Sequence, residues 1–153
     1  MENKDLEKLK WHKEEAISCF NKTWELIENK HRTHDEDIQM IHLAHASRYH
    51  WQVVGTPLNW VRGEWLISRV YSILNMGNSA LLHGRISLEL CKHNNIKDFD
   101  LAFAYEALTR AHFVMKNHDK TGKHFNYAME ASQEIKKPED KEYFLKELNS
   151  ILL

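Results

Sequence analysis

An internal repeat at an offset of 41 residues constrains this chain more than any other feature, because duplicated units of that length stack into arrays. At that offset Ile67 aligns with Leu108, Ser68 with Thr109, Arg69 with Arg110, Tyr71 with His112 and Leu74 with Met115. Further on, His83 aligns with His124, Ser87 with Ala128, Leu88 with Met129 and Glu89 with Glu130. The spacing within each copy is helical, and no segment alternates with a period of two. Two helical hairpins, one a copy of the other, are therefore expected between residues 57 and 136.

Only 5 Gly and 2 Pro interrupt 153 residues, and they divide the chain into about seven helical segments. The first, Asp5 to Asn29, carries one apolar stripe through Leu9, His12, Ala16, Cys19, Phe20, Thr23, Trp24 and Ile27. Thr33 and Glu36 have capping-box spacing, which starts a second helix that runs to Gly55. Thr56-Pro57 reads as an N-cap and first-turn proline for helix three, to about Asn75. Gly77 is expected to take a left-handed conformation between helices three and four, the latter ending near His93. Helix five spans Phe99 to Lys116. Asn117 is a cap candidate for helix six, to Lys136, and Pro138 opens a last helix bearing Phe144, Leu145, Leu148, Ile151 and Leu152. Helices one and two are expected to form an irregular hairpin. They miss the 41-residue offset, and Ala16, Phe20 and Thr23 look like second-helix positions.

The repeat resembles the tetratricopeptide family. Ile67, Ser68 and Tyr71, and again Leu108, Thr109 and His112, match the leucine, small and aromatic positions of that family's first helix, with Tyr105 as a bulky opening residue. Ala80, Gly84 and Ser87 match its second helix in part, and Thr121, Phe125 and Ala128 match in type. The family repeat of about 34 residues is shorter than 41, which implies longer helices or linkers here. The resemblance covers Pro57 to Lys136 and extends to small bacterial proteins of this repeat type that have no assigned activity. It implies an all-α fold of antiparallel hairpins stacked as a right-handed superhelix, a single domain over 1–153, with 138–153 as its capping helix.

The resemblance also implies that a protein or peptide lies along the face of the first helices. The lining positions would be Arg62, Trp65, Arg69, Ser72 and Ile73 in helix three and Phe103, Glu106, Arg110, Phe113 and Val114 in helix five. Their spacing independently places each set on one helical face. Arginine beside aromatics suits a carboxylate next to an apolar group, since the guanidinium fork binds bidentately and stacks on rings. The competing reading is an ordinary i, i+4 pair of Glu106 and Arg110 on a solvated face, with Trp65 packed on helix two.

The 11 histidines raise a second class of function. His42 and His45 share a helix face with His50 beyond, a pattern open to metal or ligand binding. No H-E-x-x-H or Glu-x-x-His element accompanies them, so helix packing is the favoured role and no cofactor is expected. Thr121-Gly122-Lys123 lacks the rest of a phosphate loop, and no catalytic motif is found, so a non-enzymatic adaptor or regulatory subunit is the expectation. The 21 basic and 22 acidic residues leave a net charge of −1, which argues against nucleic acid or anionic membrane as partner. Cys19 and Cys91 make no disulfide framework, and MENKDLEKLKWHKEE has no apolar signal stretch, so a cytoplasmic setting is expected. An exposed end of the array could support a homodimer.

Overall fold

The computed structural model describes residues 2–152. Its elements are α1 (Asn3–Glu28), α2 (His34–Val54), α3 (Pro57–Ile73), α4 (Gly77–His93), α5 (Asp98–Val114), α6 (His118–Ser132), α7 (Pro138–Asn149) and a final 3₁₀ turn, Ser150–Leu152. Among the described residues there is no strand, and no helix is long and apolar enough to cross a membrane.

The helix starts follow from local chemistry. Glu36 N–H donates to the Thr33 hydroxyl while Thr33 N–H donates to the Glu36 carboxylate, the reciprocal capping box that begins α2. Pro57 sits in the first turn of α3, where the Thr56 N–H donates to Asn59 Oδ1. Asn117 Oδ1 accepts from Lys120 N–H at the start of α6. The α1–α2 connection is held by Arg32, whose guanidinium donates to the carbonyls of Leu26 and Asn29 and to Asp37. One side chain thus satisfies carbonyls that the end of α1 would leave open.

The left-handed residue between α3 and α4 is Asn75, φ 61°, not Gly77. The Met76 N–H reaches back to the Tyr71 carbonyl at 2.8 Å, the 6→1 bond of a Schellman end. Forty-one residues on, Lys116 takes φ 57° and the Asn117 N–H reaches the His112 carbonyl at 3.0 Å. Gly77 is small for another reason: a Cβ there would collide with the Met115 side chain. Helix α6 ends at Ser132 rather than Lys136, because the following turn drops Ile135 into the core beside Phe144 and Leu148.

Helices α1 and α2, α3 and α4, and α5 and α6 pair as antiparallel hairpins. The hairpins stack in chain order, α2 on α3 and α4 on α5, with α3 also touching α5. Helix α7 lies on α5 and α6 and buries Phe144 and Leu148, and the 3₁₀ turn after it buries Ile151, each contributing about 1.5–3 kcal/mol by leaving water. The 41-residue repeat is a repeat of structure: α3 and α5 begin and end at positions related by that offset, and α4 and α6 begin so.

The first hairpin obeys the same scheme at a different spacing. Buried Thr23, Ser68 and Thr109 occupy corresponding first-helix positions, each donating its hydroxyl to a main-chain carbonyl. Ser47 donates to the Ala16 carbonyl 31 residues away, and Ser87 donates to the Val61 carbonyl 26 residues away. Ala16, Phe20 and Thr23 are therefore first-helix positions, and their expected assignment to a second helix is corrected. A longer connection, held by Arg32, and a longer N-terminal part of α2 add residues between the corresponding positions, which moves the first hairpin off the common offset.

Candidate functional site

Four helices bring aromatic side chains to one pocket of about 280 Å³ on the face made by the first helix of each hairpin. Helix α1 supplies Phe20 and Trp24, one turn apart, and α3 supplies Val61, Arg62 and Trp65. Helix α5 contributes Phe99, Asp100 and Phe103, and α7 adds Tyr143. The Trp24 and Trp65 rings stack at 5.9 Å, and Phe103 meets Trp65 edge-on at 5.6 Å. Phe99 and Tyr143 lie roughly parallel, 6.5 Å apart. Offset and edge-on arrangements of this kind hold ring walls in place and leave apolar faces toward a guest.

The polar part of the pocket is one ion pair. Arg62 Nε and Nη2 donate to the two carboxylate oxygens of Asp100 at 2.8 and 3.2 Å. The Arg62 side chain is 52% exposed and that of Asp100 only 13%, so the carboxylate sits inward and the cation outward. The bond to Asp100 raises the Arg62 pKa above its ordinary value. Neither histidine nor thiol lines this pocket.

Deeper on the same face lies a closed cluster around Glu106, 1% exposed. Its carboxylate accepts from Trp65 Nε1 at 2.9 Å and from Arg110 Nε at 2.7 Å, with Arg69 Nη1 at 3.5 Å. Helix α7 completes the cluster: Glu147 meets Arg69 at 3.4 Å, and its carbonyl accepts from Arg110. Burial and the neighbouring Arg110 pull the Arg69 guanidinium below its ordinary pKa, against Glu106 and Glu147. Its buried Nε makes no hydrogen bond among the described residues.

The expected lining therefore divides. Arg62, Trp65 and Phe103 meet in the pocket, whereas Arg69, Glu106 and Arg110 form the cluster beneath α7. Glu106 and Arg110 do form an i, i+4 pair, but in the interior rather than on a solvated face. Trp65 packs on Trp24 of α1 and Phe103 of α5. Phe113 is exposed at the far end of α5, Val114 is half-buried, and Ser72 and Ile73 turn into the α3 core. Phe20, Trp24 and Tyr143 lie outside the expected lining: the equivalence of α1 with α3 is hidden in the sequence, and nothing in the spacing of α7 marks Tyr143 as facing the pocket.

The histidines separate in the same way. His42 is exposed; His45 Nε2 pairs with the Tyr71 hydroxyl at 2.9 Å; His50 Nδ1 lies 2.8 Å from His12 Nδ1. Among the described residues no group of three or more His, Cys, Asp or Glu is placed to hold a metal ion. His45 belongs instead to a network joining α2, α3 and α4. Its ring lies edge-on to His83, whose Nδ1 is 2.7 Å from Glu64, and the other Glu64 oxygen accepts from Arg48 Nε at 2.9 Å. Gly63 gives Arg48 its room, since a Cβ there would stand 2.7 Å from Arg48 Cδ. Burial, then His83, lowers the His45 pKa. Trp60 packs the same junction, donating to the Trp51 carbonyl at 2.9 Å beneath the Arg48 guanidinium. Comparison of the chain with protein-family models, with curated protein sequences and with solved structures gives no match.

Proposed function

We propose that this protein is a non-enzymatic peptide-binding module, an adaptor or regulatory subunit, with its hairpins stacked as in the tetratricopeptide family. The observation that carries the reading is the aromatic pocket on the face of α1, α3 and α5, where that architecture receives its partners. Its walls supply buried apolar area, the main source of affinity, and Arg62 supplies orientation.

Selection from a displayed peptide library tests the proposal. Peptides enriched on the native protein should bind a Phe20→Ala, Tyr143→Ala double variant at least tenfold more weakly, because two walls of the pocket are gone. Equal binding to the double variant, or a library that yields no binder, sinks the reading.

A further inference from the structure

We infer that the groove between α4 and α6, floored by α5, binds a small phosphate, either the free anion or the phosphoryl end of a small phosphate monoester. The site shares no residue with the aromatic pocket and does not depend on the peptide-binding reading.

Helices α4 and α6 both pack on α5 and not closely on each other, as α2 and α4 do on α3. Between α2 and α4 the groove carries its own anion: Glu64 accepts from Arg48 at 2.9 Å and lies 2.7 Å from His83 Nδ1. Forty-one residues on, the imidazole is kept as His124 but the carboxylate is not, because Tyr105 stands at the place of Glu64. His112 stands at the place of Tyr71 and adds a second imidazole. The groove between α4 and α6 therefore gathers basic groups without the acid that neutralises its neighbour.

The ring centres of His112 and His124 are 4.7 Å apart. His112 is 3% exposed, and its Nδ1 has no hydrogen-bond partner among the described residues. A buried ring nitrogen in that position has lost water without compensation, which a bound oxygen would supply. His124 Nδ1 donates to the Lys120 carbonyl at 2.8 Å, so Nε2 is the free edge of that ring. Burial first, then His124, Lys120 and Arg85, lower the His112 pKa to about 4, and no carboxylate opposes them. Arg85 of α4 and Lys120 of α6 are exposed, and neither side chain makes an ion pair among the described residues, not even Arg85 with Glu89 one turn along α4. Two cations and two imidazoles with no acid among them repel a metal ion and attract an oxyanion, and the double charge of a phosphate matches Arg85 and Lys120. Tyr127, 5.6 Å from His124 and 38% exposed, offers a ring on which the body of an ester can rest.

Carbon–proton NMR of the imidazole rings tests the site in mildly acidic buffer, with inorganic phosphate as the probe and chloride at equal ionic strength as the control. Phosphate should shift the His112 and His124 signals to saturation, while those of His42, exposed on α2, and His83, tied to Glu64, stay still. Arg85→Ala and Lys120→Ala, both on the surface, should each weaken binding at least fivefold. Tyr105→Glu, which gives this groove the carboxylate of its neighbour, should abolish binding, and the two surface variants carry the test if that variant does not fold. Phenyl phosphate distinguishes the two sources: binding tighter than that of inorganic phosphate, with the gain lost in Tyr127→Ala, supports an ester, and equal binding supports the free anion. Equal shifts with chloride, binding unchanged in both surface variants, or still His112 and His124 signals would overturn the inference and leave the peptide pocket untouched.

Discussion

The second and third hairpins begin their helices at positions 41 residues apart, yet the side chains that make polar sites differ between them. Trp65 and Glu106 occupy equivalent positions and are hydrogen-bonded to each other at 2.9 Å. Glu64 of the second hairpin, tied to Arg48 and His83, is replaced in the third by Tyr105. What the copies share is what stacking needs: left-handed helix ends, small buried residues where helices approach, and common bounds. They also share Arg69 and Arg110 of the Glu106 cluster, but not the carboxylates of Glu106 and Glu64 nor the material of the pocket. The repeat therefore accounts for the frame, and the departures from it locate the chemistry.

The sharpest way to break this contrast is to remove Glu106. Glu106→Gln leaves Arg69 and Arg110 short of a buried counter-charge and should destabilise by about 3 kcal/mol, read from urea unfolding. Glu64→Gln should cost less, because Arg48 still donates to Gln52 when its carboxylate partner is gone. A larger loss at Glu64 would reverse the ranking of the two clusters.

A pH effect follows next. Buried His112, where the second hairpin has Tyr71, has its pKa lowered to about 4, by burial first and then by His124, Lys120 and Arg85. Its pKa is higher in the unfolded chain, near 6.5, so the unfolded state binds the proton first and stability falls as pH drops from about 6.5 toward 4. His12 and His45 are lowered too and add to the same trend. His112→Tyr, which copies the second hairpin, should flatten part of the decline in urea midpoints between pH 7.5 and 5. An unchanged slope would show that His112 contributes nothing to it.

Smaller effects test the shared frame. Lys116→Gly should stabilise by about 0.5–1 kcal/mol, since lysine gains nothing from its left-handed φ of 57°. Asn75→Gly should gain less, because asparagine tolerates φ 61°. Ser87→Ala gives the second hairpin the residue that the third already has at Ala128, and loses only the 3.0 Å bond to the Val61 carbonyl. It should cost about 0.5–1 kcal/mol in thermal or urea unfolding.

Most of the frame was legible because its signals are local: Thr33 with Glu36, Pro57, Asn117 and Pro138 each mark a helix start by its own chemistry. Register across the first hairpin was not, since extra residues in the α1–α2 connection and at the start of α2 hide the equivalence of Thr23 with Ser68 and Thr109. Without that register Phe20 and Trp24 fall outside the expected site. Arg62, Trp65 and Phe103 of the expected site are in the pocket, but the fate of Arg69 and Arg110 depends on α7 crossing to them, a contact 78 residues from Arg69 that helical spacing cannot reveal. The Glu64 network was silent for a related reason, because its hydrogen bonds all run between helices, from α2 to α3 and from α4 to α3, where spacing along one helix gives no sign of them.

Both cysteines are buried, and burial, then Asp100, pushes the Cys91 thiol up to about 12. Burial also raises the Cys19 thiol. Cys19 belongs to the first hairpin and Cys91 to the second, so each thiol reacts with an alkylating reagent only when its own helices part. The chain thereby carries two built-in clocks for hairpin opening, and comparing their labelling rates would tell whether the array comes apart from its N-terminal end or all at once.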